Sequence, residues 1–230
     1  MIFAGIVKTS LIDYPGKIAT VLFSPGCNFN CFYCHNRALI EDFNELLNQD
    51  EIDDYLLRRQ GLIDAVVISG GEPTLYNDII PFCAKIRNLG YLVKIDTNGS
   101  RPEAIKRILE AKVVDYFAVD YKAPAHRYAE ITNEDVDPQL VLTTIDLLLK
   151  ANQAFEVRTT VIPQLSLEDL VRMAQELPIV PRYVLNPYKR PLRYRSEDQE
   201  KVDVPPLSEK EIATMAETVK LYQTNLVLPF

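Results

Sequence analysis

The chain has 230 residues, of which 47% are hydrophobic and 25% are charged. This balance is typical of one globular domain, and it excludes a disordered, collagen-like or disulfide-scaffold protein. The formal net charge of -7 argues against nucleic-acid binding, which needs a basic face that neutralises phosphates. We therefore predict a single domain over residues 1–230 that has no nucleic-acid partner.

The beginning of the sequence and its cysteines indicate the cellular setting. Lys8 and Asp13 interrupt the first apolar residues, so no signal peptide is predicted. No apolar run approaches the roughly 20 residues that cross a bilayer. Three of the four cysteines fall within eight residues, which favours metal or redox chemistry over a disulfide framework. We expect a cytoplasmic protein without a membrane partner.

Short runs rich in valine, isoleucine and tyrosine predict the strands of the chain. They cover residues 2–7, 18–23, 65–69, 92–96, 114–120, 155–161 and 183–185. Helical spacing between them predicts helices near residues 42–59 and 102–111. Repeated alternation of strand and helix predicts an α/β fold with a mostly parallel sheet, either open or rolled into a barrel.

Capping patterns predict where three later helices begin. Asp137 is suited to the N-cap of one helix, with Pro138 at its first position. Capping boxes at Ser166 with Asp169 and at Ser208 with Glu211 start the other two.

Two further features are Cys83 and the charged segment 189–206. Cys83 lies alone in a predicted helix, where a small buried side chain is its expected role. Residues 189–206 are charged and contain prolines, so we predict a flexible loop there. Because long loops are often functional, a lid or docking segment is the alternative.

The densest group of reactive side chains is the loop that carries Cys27, Cys31 and Cys34, which follows a predicted strand. A closed zinc site needs four ligands, and His35 is poorly placed as the fourth because it adjoins Cys34. Iron-sulfur clusters normally take four thiolates, so a 4Fe-4S cluster held by three leaves one iron open to a substrate or cofactor. The loop predicts a metal centre with an open position.

The spacing Cys27-x3-Cys31-x2-Cys34 resembles the signature of the radical S-adenosylmethionine (SAM) superfamily. The resemblance implies a partial (β/α)6 TIM-like barrel, a 4Fe-4S cluster on the three thiolates and S-adenosyl-L-methionine as the second cofactor. It also places Tyr33 near the adenine, whereas a loop aromatic packed on the core is the alternative.

Two glycines follow the strand that ends near Ser69. Gly70 and Gly71 let backbone approach a ligand closely and permit positive φ angles. By themselves they are equally consistent with a tight turn. In the family that the chain resembles, backbone of the matching segment holds the amino end of SAM.

Charged residues stand at the ends of later strands. Asp96, Asp120 and Lys122 are costly in a core but natural in a site. An Asx turn at residues 96–99 and an ion pair between Asp120 and Lys122 are the alternatives. The resemblance implies that these residues bind the amino group, ribose and carboxylate of SAM, with Lys122 on the carboxylate.

Arg158 lies within the apolar strand FEVRTTVIP, where an unpaired guanidinium would be expensive. It should therefore meet an anion. Glu156 is one structural candidate, because residues two apart share a face of a strand. The resemblance implies the carboxylate of SAM instead.

Residues 3–188 resemble the activating enzymes of glycyl-radical enzymes through KTSLIDYPGKIATVLFSPGCNFNCFYCHN, VVISGGEPTL, IDTNGS, VDYKAP and FEVRTTV. They most resemble the activators of anaerobic ribonucleoside-triphosphate reductase. Pyruvate formate-lyase activators have DGPG where this chain has DYPG, and a ribose-binding histidine where it has Pro187-Tyr188-Lys189. The residue that contacts ribose is therefore unassigned.

The resemblance implies that SAM is reductively cleaved to a 5'-deoxyadenosyl radical, which generates a glycyl radical on an anaerobic ribonucleotide reductase. An electron donor such as flavodoxin or ferredoxin is implied as a second partner. Three alternatives stay open: an activator of another glycyl-radical enzyme of the pyruvate formate-lyase type, a radical SAM enzyme acting on a small molecule, and a structural zinc module.

Overall fold

A computed structural model describes residues 1–41 and 45–230. Its strands are β1 Gly5–Ser10, β2 Ala19–Ser24, β3 Ala65–Gly70, β4 Leu92–Thr97, β5 Tyr116–Asp120, β6 Phe155–Val161, β7 Tyr183–Pro187 and β8 Leu226–Val227. The helices in the described ranges are α1 Arg37–Glu41, α2 Gln49–Arg58, α3 Ile79–Asn88, α4 Pro102–Ala111, α5 Tyr128–Thr132, α6 Gln139–Lys150, α7 Leu167–Glu176, α8 Gln199–Val202 and α9 Glu209–Val219.

The strands belong to one sheet whose order follows the chain from β1 to β8. β1 and β2 are antiparallel, whereas β2 and β3, β3 and β4, β6 and β7, and β7 and β8 pair in parallel. Sequential parallel strands separated by helices require crossovers over the sheet. The predicted α/β fold with mostly parallel strands is confirmed, and this strand order is the one expected of a partial barrel.

The chain divides into two compact units. The first comprises Met1–Asn28, Ala38–Thr97 and Glu103–Ala118, and the second comprises Phe29–Arg37, Asn98–Pro102 and Val119–Phe230.

The first unit is organised around β2 and β3. Both strands are almost wholly buried, which explains their nearly continuous apolar sequences. Tyr14, Val21 and Val67 pack together in its core. Cys83 is fully buried in α3 with a free thiol, as predicted for a small core side chain. The carboxyl ends of β2 and β3 pair at Ser24 and Gly70, which fixes the start of the cysteine loop.

The second unit contains β6, β7 and β8 with helices α5 to α9. The capping boxes predicted at Ser166 and Ser208 are both present, and they start α7 and α9. α6 begins at Gln139, and the carboxylate of Asp137 accepts a hydrogen bond of 2.9 Å from its backbone N–H. The predicted starts of these helices are confirmed to within a residue.

Some boundaries differ from the prediction. β1 covers Gly5–Ser10 rather than the predicted residues 2–7, and β5 begins two residues later than expected, at Tyr116. Neither α5 nor the two-residue strand β8 was predicted. In the region of the helix predicted at 42–59, α2 covers Gln49–Arg58, while residues 42–44 lie outside the described residues.

The segment 189–206 is partly helical. It contains a 3-10 turn at Ser196–Asp198 and the short helix α8, and the side chain of Asp198 is buried. Its flexibility remains a prediction.

Over residues 1–41 and 45–230, the structure has no helix with the length and apolar character that crossing a membrane requires.

Candidate functional site

Cys27 lies in the first unit, three residues after the end of β2. The backbone just before it is held firmly: Gly26 donates a hydrogen bond of 2.8 Å to the carbonyl of Leu39, and its own carbonyl accepts one of 2.8 Å from Glu72. The thiol of Cys27 is partly exposed and forms no disulfide. The structure thus places a free thiol on a backbone that is anchored at the carboxyl end of the sheet.

Gly70 and Gly71 pack directly against this backbone. Gly70 has φ +114°, and a Cβ at Gly71 would lie 1.7 Å from the carbonyl oxygen of Gly26. No side chain fits at that distance, so these glycines are required by the close approach of the β3 turn to the segment that enters the cysteine loop. The tight-turn interpretation is therefore supported by the structure, and the predicted role in cofactor binding stays a prediction.

Glu72, which the sequence analysis did not single out, ties this turn to β4. Its side chain is fully buried and accepts hydrogen bonds from the backbone N–H of Thr74 at 3.0 Å and from Oγ1 of Thr97 at 2.8 Å. A buried carboxylate needs such partners to offset its desolvation. Glu72 therefore fixes the end of β4 relative to the glycine turn.

Asp96 also lies in the first unit, at the end of β4. Its Oδ1 is 2.9 Å from Nζ of the buried Lys94, and its Oδ2 accepts a hydrogen bond of 3.1 Å from Ser69. The Asx turn considered at residues 96–99 is instead formed by Asn98, whose Oδ1 accepts a hydrogen bond of 3.0 Å from the backbone N–H of Ser100. Asp96 is thus positioned at a strand end by an ion pair.

Cys31 and Cys34 lie in the second unit and are linked by a backbone hydrogen bond of 3.1 Å from Cys34 to the carbonyl of Cys31. The same carbonyl accepts a hydrogen bond of 2.7 Å from Nη2 of Arg37, which is 1% exposed. Arg37 also donates to the side chain of Asn30. This buried guanidinium was not predicted, because its role depends on backbone acceptors rather than on a motif.

Asp120, Lys122 and Arg158 form one ion-pair network in the second unit. The carboxylate of Asp120 lies 3.3 Å from Nζ of Lys122 and 3.0 Å from Nε of Arg158. Burial acts to raise the pKa of Asp120, but the charges of Arg158 and Lys122 outweigh it and lower that pKa. The ion pair considered from the sequence is therefore present.

The suggested partner Glu156 is engaged with another cation. Its carboxylate accepts a hydrogen bond of 3.0 Å from Nε of Arg182. Asp120, at the end of β5, is an anion that the structure places beside Arg158 of β6. Their proximity depends on the folded chain, so the sequence of β6 alone could not reveal it.

The charge of Lys122 acts to lower the pKa of Cys31 and of Tyr33. Burial raises the pKa of the Cys31 thiol to about 11, and the ammonium of Lys122 acts against that rise. Burial likewise raises the pKa of Tyr33, again opposed by Lys122. Conversely, burial lowers the pKa of Lys122, but Asp120, Tyr33 and Cys31 raise it well above its ordinary value. The second unit therefore brings Cys31, Tyr33 and the ion-pair network together.

The chemistry of the donor set fits an iron-sulfur cluster. All three thiols of the loop are free, and thiolate is the ligand on which such clusters depend. In the described ranges, no three His, Cys, Asp or Glu side chains are close enough together to hold a single metal ion.

A mostly parallel α/β sheet with a three-thiol loop after its second strand offers thiolate ligands at the end of the sheet where such folds build their sites. The sequence model of the radical SAM superfamily matches residues 21–177, so the chain belongs to that superfamily. Members of this superfamily are enzymes that bind a 4Fe-4S cluster and S-adenosylmethionine.

Two relatives come from Methanocaldococcus jannaschii, and both carry the provisional name of glycyl-radical enzyme activating enzyme. One is 35% identical over 234 residues, covering 98% of this chain and 94% of the relative. The other is 29% identical over 231 residues, covering 92% of this chain and 82% of the relative.

Among solved structures, SuiB of Streptococcus suis bound to S-adenosylmethionine has a similar fold. The TM-score is 0.68 at 17% identity, with 91% of this chain covered. This chain spans about half the length of SuiB, namely 52%. At that identity the likeness concerns the fold alone.

Proposed function

We propose that this chain activates a glycyl-radical enzyme by a radical SAM reaction, and that its target is an anaerobic ribonucleoside-triphosphate reductase. The observation that carries the proposal is the loop with three free thiols in a chain that is 35% identical to a named activating enzyme over nearly its whole length. The reductase as target, rather than another glycyl-radical enzyme, rests on the DYPG and Pro187-Tyr188-Lys189 segments.

In this proposal Cys27, Cys31 and Cys34 hold the cluster through their thiolates. Three protein ligands leave one iron of a 4Fe-4S cluster open for SAM. The bound cofactors supply one-electron reductive cleavage of the sulfonium, which yields methionine and a radical that abstracts a hydrogen atom from a glycine of the target. The electron would come from a donor such as flavodoxin or ferredoxin.

The ion-pair network is suited to bind the carboxylate of SAM. Lys122 and Arg158 are two cations that both contact the carboxylate of Asp120. Charged donors bind a carboxylate most strongly, and a guanidinium offers a planar fork that matches its two oxygens. Lys122 and Arg158 thus orient the amino-acid end of the cofactor, while Asp120 keeps both cations in place.

Other residues contribute position and exclusion of water. Gly70 and Gly71 bring backbone close to the segment before Cys27, where backbone groups would meet the amino group of SAM together with Asp96. Tyr33 is 6% exposed and packs edge-on against Phe32 with ring centroids 5.2 Å apart. Buried aromatic side chains of this kind exclude water from a radical and offer a surface on which an adenine can pack.

The proposal is tested by anaerobic reconstitution with iron and sulfide, followed by mixing with reductant, SAM and an anaerobic ribonucleoside-triphosphate reductase. We expect a glycyl radical by electron paramagnetic resonance in the reductase. The variants Cys27→Ala, Cys31→Ala and Cys34→Ala should each abolish cleavage of SAM, whereas Cys83→Ala should retain it. Full activity in any of the three loop variants would refute the ligand assignment.

The same experiment separates the alternatives. A glycyl radical on pyruvate formate-lyase and none on the reductase would indicate an activator of the pyruvate formate-lyase type. Productive cleavage with a metabolite and no protein would indicate a small-molecule enzyme. Zinc in place of iron and sulfide in the purified protein would indicate the structural zinc module.

A further inference from the structure

The segment 189–206 presents a basic tip, which we define as residues 189–193 with the sequence KRPLR. These five residues carry three cations and no acid, although the whole chain has a net charge of -7. Leu192 is 99% exposed, while its neighbour Pro191 is buried. The backbone of the tip therefore packs on the protein while the leucine side chain projects into solvent.

The cations of the tip differ in their engagement. Arg190 pairs with Asp203 and lies over the ring of Tyr194, with its guanidinium carbon 5.6 Å from the ring centroid. Within residues 1–41 and 45–230, Lys189 and Arg193 have no ion pair, and both are exposed. An exposed leucine alone is ordinary on a protein surface. Here it stands between two unpaired cations.

The segment is held against the second unit on both sides of the exposed cations. Just before the tip, Tyr188 is 3% exposed, and Pro191 within the tip is buried as well. Further along, Nζ of Lys201 lies 5.4 Å from the centroid of Phe32, and the carbonyl of Lys201 accepts a hydrogen bond of 2.8 Å from Gln164.

The middle of the segment is held by its own ion pair. Nε of Arg195 lies 2.7 Å from the carboxylate of Asp198, whose side chain is buried. Anchors on both sides restrain the tip and lower the entropy that docking would cost. The tip is thus a preorganised projection on a segment that contacts Phe32 of the cysteine loop through Lys201.

We propose that the basic tip docks the protein partner, and that its counterpart is an acidic surface with an apolar recess for Leu192. This inference rests on the proposed function, in which the partner is the ribonucleoside-triphosphate reductase. Because this chain is acidic overall, its attraction to an acidic partner depends on local positive charge. Lys189 and Arg193 supply that charge, and Leu192 supplies apolar contact.

The test compares two double charge reversals of equal net effect. Lys189→Glu with Arg193→Glu alters the tip, while Lys106→Glu with Lys210→Glu alters two exposed lysines on α4 and α9. Leu192→Ser is matched in the same way by Leu221→Ser, at a leucine that is 76% exposed. Each protein is reconstituted and assayed for glycyl radical on the reductase at several reductase concentrations and two salt concentrations.

The tip variants should raise the apparent KM for the reductase by about tenfold at low salt, because rim charges govern encounter rate. The difference should shrink at about 0.5 M salt, where such charges are screened. Cleavage of SAM without the reductase should be unchanged, and the control variants should behave like the wild type.

Three results would overturn the inference in distinguishable ways. If the wild type forms a radical and the tip variants keep its KM, the docking surface is elsewhere while the proposed function stands. If the wild type forms no radical on the reductase, the proposed function fails and the docking inference fails with it. A change of oligomeric state in Leu192→Ser with unchanged KM would assign the tip to contact between copies of this chain.

Discussion

Single residues fix the geometry around the cysteine loop, and Gly71 is the most constrained of them. A Cβ there would meet the carbonyl oxygen of Gly26 at 1.7 Å, and backbone cannot yield as a flexible side chain does. We predict that Gly71→Ala lowers the free energy of unfolding by about 2–4 kcal/mol, as for other strained or overpacked sites. Urea denaturation of the protein without its cluster measures this loss in free energy of unfolding.

Gly5 is the matched control for this substitution. Its added Cβ would make only ordinary contact, 3.5 Å from Phe23, and its φ is not positive. Gly5→Ala should therefore change the free energy of unfolding by less than about 1 kcal/mol. Equal losses in the two variants would contradict the packing that we assign to Gly71.

Arg37 is the second residue whose role is specific. It is buried and donates a hydrogen bond of 2.7 Å to the carbonyl of Cys31. Its removal would leave that buried acceptor without this donor. We predict that Arg37→Met lowers stability by about 1–3 kcal/mol, the cost of such an unsatisfied group. We also expect less iron and sulfide to be incorporated on reconstitution, because the backbone between Cys31 and Cys34 loses its anchor.

The control for Arg37 is the exposed Arg172 on α7. Arg172→Met removes the same charge without touching the cysteine loop, so it should bind iron and sulfide as the wild type does. Arg37→Lys separates charge from geometry, because an ammonium has no planar fork to span Asn30 and Cys31. If Arg37→Met loads a full cluster, its proposed anchoring role is wrong.

The residues found from the sequence and those missed differ in a physical way. Cys27, Asp96 and Lys122 carry reactive or charged groups at strand ends, so their side chains alone suggest a site. Arg37 and Glu72 act through hydrogen bonds to backbone or to hydroxyls of distant segments. Only the folded chain brings those acceptors and donors together, and no local pattern encodes them.

At the level of elements, the predicted strands were accurate where apolar β-branched runs are bounded by polar turns. β6 matches its predicted range, whereas β5 starts later because Val114 and Asp115 precede the sheet. β8 was not predicted because two residues are too few to show the alternating pattern of a strand. It is defined by its pairing with β7. The five residues of α5 are too few for a helical pattern to be recognised.

α7 offers an element-scale prediction because its capping box contacts Arg127, in the 3-10 turn just before α5. Asp169 accepts a hydrogen bond of 2.9 Å from the backbone of Ser166 and one of 2.7 Å from Arg127. Burial acts to raise the pKa of Asp169, but the Ser166 hydrogen bonds and the Arg127 charge lower that pKa below its ordinary value. A lowered pKa in the folded state means that the ionised carboxylate favours folding.

The stabilisation from Asp169 should therefore be present above the pKa of the unfolded carboxyl and should disappear as pH falls through the folded pKa. We predict that Asp169→Asn costs about 1–2 kcal/mol at pH 7, a typical value for a lost cap. The difference in free energy of unfolding between the variant and the wild type should become smaller as the pH falls from about 5 to about 3. Glu168→Gln, an exposed neighbour in the same helical turn, is the control, and a gap independent of pH would contradict the linkage.

At the scale of the whole molecule, folding and cofactor binding are linked. A ligand that binds only the folded protein stabilises it by about 2.7 kcal/mol when present at about 100 times its Kd. If the ion-pair network receives SAM, the reconstituted wild type should show a SAM-dependent rise in Tm under anaerobic, non-reducing conditions. Binding without turnover isolates this linkage from catalysis.

Lys122→Met tests which residues receive that ligand. The substitution removes one cation from the trio but leaves Asp120 paired with Arg158, 3.0 Å away, so the fold should persist. A loss of one charged contact weakens affinity by about tenfold, which would lower the SAM-dependent stabilisation by about 1.4 kcal/mol at the same concentration. Lys106→Met, at an exposed lysine of α4, should keep the full rise in Tm. An equal SAM-dependent rise in both variants would exclude Lys122 from the cofactor site, because the linkage reports binding whichever protein partner the enzyme activates.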